Sequence, residues 1–262
     1  MARFCTLASG SQGNATYITT GDGDVLIDAG INCKSLMQSI DAAGVDFSKL
    51  RAIAITHAHD DHIKGLKVLL KKVQVPLVAS SETLETLTIK GIIPQGANLI
   101  AAESGLVTIG DIALDFFKTS HDEKGSGGYV VNLPDGRRAA VCTDLGVVSD
   151  EIRQKISGCD VVLLESNHDV EMLRRGPYPA HLKLRILSDE GHLSNTACSV
   201  ELPALLKSGT KRIILGHISA QNNTPLLALN SARTALSQTG AEQGVDYILE
   251  TAKQKTVGVT VF

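Results

Sequence analysis

Three imidazoles and two carboxylates fall within the seven residues Thr56-His57-Ala58-His59-Asp60-Asp61-His62, directly after the apolar run Ile53-Ala54-Ile55. Histidine nitrogen and carboxylate oxygen are the donors that zinc and neighbouring first-row divalent ions take. A site left open to water turns such an ion into a source of nucleophile. One histidine after a strand is usually a solvated turn residue, but three of the chain's eight within six positions point to a metal site. Further histidines and acids stand where other β-like runs end: His121 after 112–118, Asp144 after 138–142 and His217 after 212–215. Loops held by a rigid scaffold are the usual carriers of such groups. At His217 the preceding run Ile213-Ile214-Leu215 is a buried strand, where an unpaired imidazole needs a partner. His168 and His181 lack that context and are expected to support the site or lie on the surface. Cys142 reads as a small buried filler.

The elements that must position these residues alternate between strand and helix patterns. Short β-like runs at 4–8, 15–19 and 25–28 are separated by the Gly-rich turns Ser9-Gly10-Ser11-Gln12-Gly13-Asn14 and Gly21-Asp22-Gly23-Asp24, which predicts an antiparallel meander. The first turn lacks the Lys-Ser/Thr of a P-loop and precedes a strand, so it is a weak nucleotide-binding signal. A helix is expected over 34–44, a buried strand over 51–56, and an amphipathic helix over 61–73, where Ile63, Leu66, Leu69 and Leu70 recur at helical spacing among lysines. A strand at 76–79, a helix at 82–89 and short strands up to 133 follow. Ser149 caps a helix, 161–165 is a strand, and Thr224-Pro225 starts a helix running to about 237. Residues 170–192 look irregular and basic, 195–206 helical, and strands at 247–249 and 257–261 close the chain. No repeat or long linker divides the 262 residues, so one domain is expected. Periodicity licenses layered α and β, with a meander-like first half and a β-α-β-like second half.

Hydrophobic residues make up 43% of the chain and aromatics only 3%, which leaves Val, Ile, Leu and Ala to build a core of buried strands. A net charge of −3 provides no global field toward nucleic acid or an anionic membrane, so any polyanion contact must be a local patch. The odd count of five cysteines, none in a C-x-x-C spacing, indicates reduced thiols and no disulfide framework. No leader and no apolar run of about 18 residues is present, which makes a cytoplasmic protein without membrane contact the expectation.

The spacing His57-x-His59-x-Asp61-His62 resembles the signature of the metallo-β-lactamase superfamily. The resemblance implies an α/β fold, a four-layer αββα sandwich of two mixed sheets face to face with helices outside. It also implies two divalent ions: His57, His59 and His121 would hold one, Asp61, His62 and His217 the other, and Asp144 would bridge. The stretch Leu7–Ala15, Glu165-Ser166-Asn167-His168 and the segment Leu182–Asn195, with Gly191-His192-Leu193-Ser194-Asn195 its most diagnostic piece, make the chain similar to the YycJ/WalJ branch, itself similar to tRNA 3′-processing endonucleases. That likeness implies a phosphodiesterase or nuclease, in particular a 5′-to-3′ exonuclease on double-stranded DNA. It makes Asp61 catalytic as a ligand and His192, paired with Glu165, the leaving-group acid. Lys183, Arg185, Arg174 and Arg175 are the cations expected to meet the phosphate backbone. Rival readings are a hydrolase of a small thioester, lactone or cyclic phosphodiester, and a non-catalytic metal-binding regulator. The basic segment and the intact ligand set speak against them. Zinc against manganese, DNA against RNA, exo against endo cleavage, and oligomeric state stay open at this stage.

Overall fold

The protein is described by a computed structural model covering residues 1–262 apart from Asp22 and Ser104, so part of the second Gly-rich turn lies outside the described residues. The first half runs β1 (Arg3–Ala8), β2 (Ala15–Thr19), β3 (Asp24–Ile27), α1 (Cys33–Ala42), β4 (Leu50–Ala54), α2 (Asp60–Ile63), α3 (Leu66–Leu69), β5 (Leu77–Ala79), α4 (Ser81–Ile89) and β6 (Leu99–Ala101). The second half runs β7 (Gly105–Ile109), β8 (Ile112–Lys118), β9 (Gly127–Asn132), β10 (Arg138–Cys142), α5 (Asp150–Ile156), β11 (Val161–Glu165), α6 (Val170–Arg175), α7 (Ala180–Ile186), α8 (Asn195–Lys207), β12 (Arg212–Gly216), α9 (Pro225–Ser237) and β13 (Ile248–Thr251). A last strand, β14 (Gly258–Val261), returns to the first half and pairs antiparallel with β1.

Two seven-stranded sheets result, ordered β14-β1-β2-β3-β4-β5-β6 and β13-β12-β11-β10-β9-β8-β7. Each is antiparallel on one side and parallel on the other: β3 to β6 run parallel in the first, β10 to β13 in the second. The expected contrast between a meander-like and a β-α-β-like half is therefore corrected, because both halves contain both patterns. A parallel pair needs a crossover, and helices supply it in each half.

Side-chain alternation sorts the buried residues into three layers of contact. In β4, Ile53 faces the core beneath α1, α3 and α4, while Ala52 and Ala54 face the other sheet. In β10, Ala140 and Cys142 face α5, α8 and α9, while Ala139 and Val141 face inward. The central layer, with Phe4, Ile27, Phe116, Tyr129, Leu163 and Ile214, draws on both sheets. Three cores between four layers make the αββα sandwich. All five cysteines are free and buried, Cys142 among them. Among the described residues no helix is long and apolar enough to cross a membrane.

Two expected elements differ. The helix over 61–73 is divided into α2 and α3, with Gly65 between them. Gly65 lies against the loop after β3: its N–H donates to Ala29 O, and a Cβ there would come within 2.3 Å of Ile31 O. The apolar spacing survives the break because both pieces keep helical geometry. Residues 170–192 are also more regular than expected. Asp169 caps α6 by accepting the Met172 N–H, and α7 follows directly after Pro179.

Candidate metal centre

The parallel strands of both sheets end at one edge of the sandwich, and the polar residues gather there. Cys142 pairs with Leu164 and Glu165 with Gly216, so β10, β11 and β12 finish level. That register places Asp144, Glu165 and His217 side by side. From the first sheet, β4 runs into the His57–His62 loop, which is tied across to the second sheet: Tyr129 Oη–H donates to Ile55 O at 3.0 Å and the Gly127 N–H to Thr56 O at 3.1 Å.

All seven residues expected to hold metal come together. Ligand atoms of His57, His59 and His121 lie within 4.8 Å of one another, as do those of Asp61, His62 and His217. Asp144 belongs to a group with His57 and His62 and to another with Glu165, His192 and His217. His57 Nε2 is 3.0 Å from His59 Nδ1, and Asp144 Oδ2 is 3.3 Å from His62 Nε2. The structure's own test of fit is the state of these buried atoms: Asp144 Oδ2 and His217 Nε2 have no hydrogen-bond partner. Buried polar atoms without partners are costly, and a cation among them would satisfy both. His57, His62, Asp144 and His217 are at most 3% exposed. Clusters of this donor type hold divalent metal ions.

Strain and hydrogen bonding fix the donors. Among the described residues, the non-glycine positions with left-handed backbone are Asp28, Asp144 and His217, at φ of 62°, 61° and 51°. Each follows a strand, and each bends the chain so that its side chain reaches the site. Such conformations cost about 1–3 kcal/mol apiece and persist where the surroundings enforce them. Asp28 had no place in the expected ligand set, yet it accepts His62 Nδ1–H at 2.7 Å, the Thr56 N–H at 2.8 Å and the Thr56 hydroxyl at 2.9 Å. It thereby turns His62 Nε2 toward Asp61 and Asp144. The signal existed, since Asp28 follows the run Val25-Leu26-Ile27 just as His217 follows β12. Asn14 is the other residue missed; its Nδ2 lies 3.0 Å from His62 Nε2 and 3.3 Å from Asp61 Oδ2. Only its loop's tertiary placement reveals that.

Glu165 is wholly buried and serves two imidazoles at once. Its Oε1 accepts His217 Nδ1–H at 2.6 Å and His192 Nδ1–H at 2.9 Å, while Oε2 accepts the N–H groups of Leu145 and Leu193. Burial alone would raise its pKa, but the His192 charge and the hydrogen bonds from His192 and His217 hold it below the usual carboxylate range. Burial opposes charge on His62 and His217 as well, and the facing carboxylates Asp28 and Asp144 for the one, Asp144, Asp61 and Glu165 for the other, raise both. His57, buried and beside His62, is pushed well down. The His192 ring stands between those of His121 and His217, 5.2 and 5.1 Å away.

The four expected substrate cations have partners. Arg174 and Arg175 pair with Glu171, Lys183 Nζ–H donates to Arg174 O, and Arg185 pairs with Asp122 at 2.5 Å. Of these, only Arg185 reaches a neighbour of a clustered histidine. His181 is exposed as expected. His168 is instead 1% exposed, both its ring nitrogens lack a partner, and burial pushes its pKa down to about 4.

A four-layer sandwich whose strand ends gather histidines and aspartates around buried, unpartnered donor atoms is the architecture of metal-dependent hydrolase folds. Residues 24–218 match the family described as the Beta-lactamase superfamily domain, and the chain belongs to the YycJ/WalJ branch of the metallo-β-lactamase superfamily. It is 38% identical over 238 residues to the exodeoxyribonuclease YycJ of Bacillus anthracis, covering 90% of each chain. It is 37% identical over 248 residues to the exodeoxyribonuclease WalJ of Streptococcus pneumoniae, covering 94% of this chain and 92% of that one. Among solved structures, the metallo-β-lactamase fold protein YhfI from Bacillus subtilis superposes with a TM-score of 0.72 at 18% identity over 99% of both chains.

Proposed function

We propose that this chain is a dinuclear metal-dependent nuclease, a 5′-to-3′ exonuclease on double-stranded DNA acting in the cytoplasm. The observation that carries the reading is the Glu165–His192 pair set against the ligand clusters, in a chain 38% identical to an exodeoxyribonuclease. His57, His59 and His121 would hold one ion, Asp61, His62 and His217 the other, with Asp144 between them; the histidine-rich set favours zinc, and its carboxylates accommodate manganese. Such ions would supply Lewis-acid charge for the phosphodiester oxygens and would lower the pKa of a water for attack at neutral pH.

The chain's own residues do the rest. Asp28 and Glu165 fix the rings of His62 and His217 by accepting hydrogen bonds from their Nδ1–H groups, which leaves each Nε2 to face the site. Glu165 likewise holds His192 by Nδ1, so Nε2 is the nitrogen left to give a proton to the departing alkoxide. Hydrolysis of a thioester would not need that acid, because a thiolate departs without a proton. Of the four expected cations, Arg185 is the one whose partner, Asp122, adjoins a clustered histidine, and it would meet a phosphate of the strand. End-labelled single- and double-stranded DNA and RNA, given to chelator-treated protein with each metal added back, tests the reading. Mononucleotides released progressively from the 5′ end of duplex DNA are expected. Cleavage of RNA alone, or of neither polymer, would contradict it.

A further inference from the structure

Asp28 and His217 both turn left-handed just past a strand, but their backbones are held differently. At Asp28 the N–H finds a backbone carbonyl, Ala54 O, at 2.8 Å. β12 pairs with β11 as far as Gly216, whose C=O accepts the Ser166 N–H at 2.9 Å, and with β13 as far as Leu215. The turn at His217 then takes the chain out of the sheet, and buried N–H and C=O groups there need other partners. Side chains meet both: Ser9 Oγ accepts the His217 N–H at 2.8 Å, and Asn167 Nδ2–H donates to the His217 C=O at 2.9 Å. Ser9 belongs to the Leu7–Ala15 stretch and Asn167 to the Glu165–His168 stretch, and neither has a part in the chemistry proposed above.

The two side chains are themselves fixed. Ser9 is buried, its N–H donates to Lys253 O at 3.2 Å, and a Cβ on Gly216 would come within 3.2 Å of its Oγ. Asn167 is buried as well. Its N–H donates to Leu193 O at 2.8 Å, and its C=O accepts the Ser219 N–H at 2.8 Å and Asn223 Nδ2–H at 3.1 Å. An amide carried on a backbone bound at both its N–H and its C=O has little freedom of place. Glu165 Oε1 takes the Nδ1–H of the same histidine, so among the described residues every polar atom of His217 is engaged except Nε2. That atom lies 3.7 Å from Asp61 Oδ2 and belongs to the group formed with Asp61 and His62.

We propose that Ser9 and Asn167 are positioning residues, which hold the His217 backbone so that its Nε2 faces the ion shared with Asp61 and His62. The inference rests on the two-ion reading and adds a cause to it: His217 is oriented from its peptide groups as well as from its ring.

Competition with a fluorescent zinc chelator, which resolves two binding steps without turnover, tests it. Ser9→Ala and Asn167→Leu each remove one of the two bonds and add no charge, and leucine keeps the branched shape of asparagine. Each is expected to weaken one zinc step by about 10- to 100-fold, the range for outer partners of metal ligands, and to leave the other step unchanged. Ser9→Ala, which loses a single oxygen, decides the matter by itself if Asn167→Leu does not fold. Ser199→Ala separates this role from a loss of stability alone. Its Oγ–H donates to Asn195 O at 2.7 Å, and Asn195 joins the same buried network through Asn223, but Ser199 has no bond to His217 among the described residues. It is expected to lower the midpoint of thermal unfolding with both zinc steps as in wild type. Wild-type zinc affinities in the folded Ser9 and Asn167 variants, a weakening of both steps alike, or the same loss in Ser199→Ala would overturn the assignment while the two-ion reading stands. A single zinc step in wild-type protein would overturn both.

Discussion

The first half of the chain hands four site residues over in one stroke, His57, His59, Asp61 and His62 from the loop after β4. The second half delivers its residues singly, His121 after β8, Asp144 after β10, Glu165 at the end of β11, His192 before α8 and His217 after β12. The first arrangement depends on the geometry of one loop; the second depends on three parallel strands finishing level, with Cys142 opposite Leu164 and Glu165 opposite Gly216. A local cluster is visible as spacing, whereas a distributed one exists only once the sheet register is set. On the proposed reading the compact loop would supply four ligands, while the distributed set would add His121, Asp144 and His217 as ligands and His192 as the proton donor.

The largest effect should come from the compact side. Asp61→Ala is expected to lower phosphodiester turnover by about three orders of magnitude or more, equivalent to the several kcal/mol of charge stabilisation that depends on the ions. The far-ultraviolet circular dichroism spectrum should stay unchanged, because Asp61 lies on the rim and its side chain is 26% exposed. Wild-type turnover in the folded variant would remove Asp61 from the chemistry.

The distributed side should answer differently. His192→Ala is expected to slow DNA cleavage by about two to four orders of magnitude, the usual contribution of general acid catalysis, with metal content retained. On bis(p-nitrophenyl) phosphate the loss should shrink sharply, since p-nitrophenolate leaves without a proton. Equal losses on both substrates at saturation would speak against the acid and for a role in binding.

Asp28→Asn sharpens the comparison from within the first sheet. Asparagine tolerates the left-handed backbone at φ 62°, so the substitution keeps the chain path and removes the carboxylate that accepts from His62 Nδ1–H and from Thr56. Metal affinity should fall by about 10- to 100-fold in chelator competition, with turnover recovered at saturating metal. Unchanged affinity would mean that His62 needs no such support.

These residues also mark what spacing could and could not reveal. The seven clustered residues were legible because each is a His or Asp at a strand end or in the dense motif. Asp28 sat at such an end, but its partner His62 is 34 residues away and only the parallel β3–β4 pairing unites them. Asn14 carries no ligand signature, since its role comes from the close approach of its loop to Asp61. The break at Gly65 was hidden because apolar spacing continues across it, and the cause is a backbone from another segment. The short α6 and α7, of six and seven residues, offer too few turns for periodicity to register. The surface cations read as phosphate contacts from composition, while the structure pairs three of them with carboxylates.

His168 gives the smallest expected effect and a pH dependence. Burial lowers its pKa to about 4, so the folded state keeps it neutral while the unfolded chain takes up a proton as pH falls below its ordinary 6.5. The sign is therefore destabilising on acidification: its contribution is fully present above pH 6.5 and is lost progressively toward pH 4. Between pH 7 and pH 5, wild type should lose about 2 kcal/mol more stability than His168→Leu in paired urea titrations. Parallel pH profiles for the two proteins would show that this imidazole is not held neutral.

Metal stoichiometry tests most directly the claim that both halves build one dinuclear centre. Chelator-stripped protein, reloaded with zinc or manganese in excess and freed of unbound metal, should carry two ions per chain by elemental analysis. His59→Ala, from the compact loop, and His217→Ala, from the distributed set, should each retain one. A single ion in wild type under excess metal, or variants that still hold two, would contradict the account.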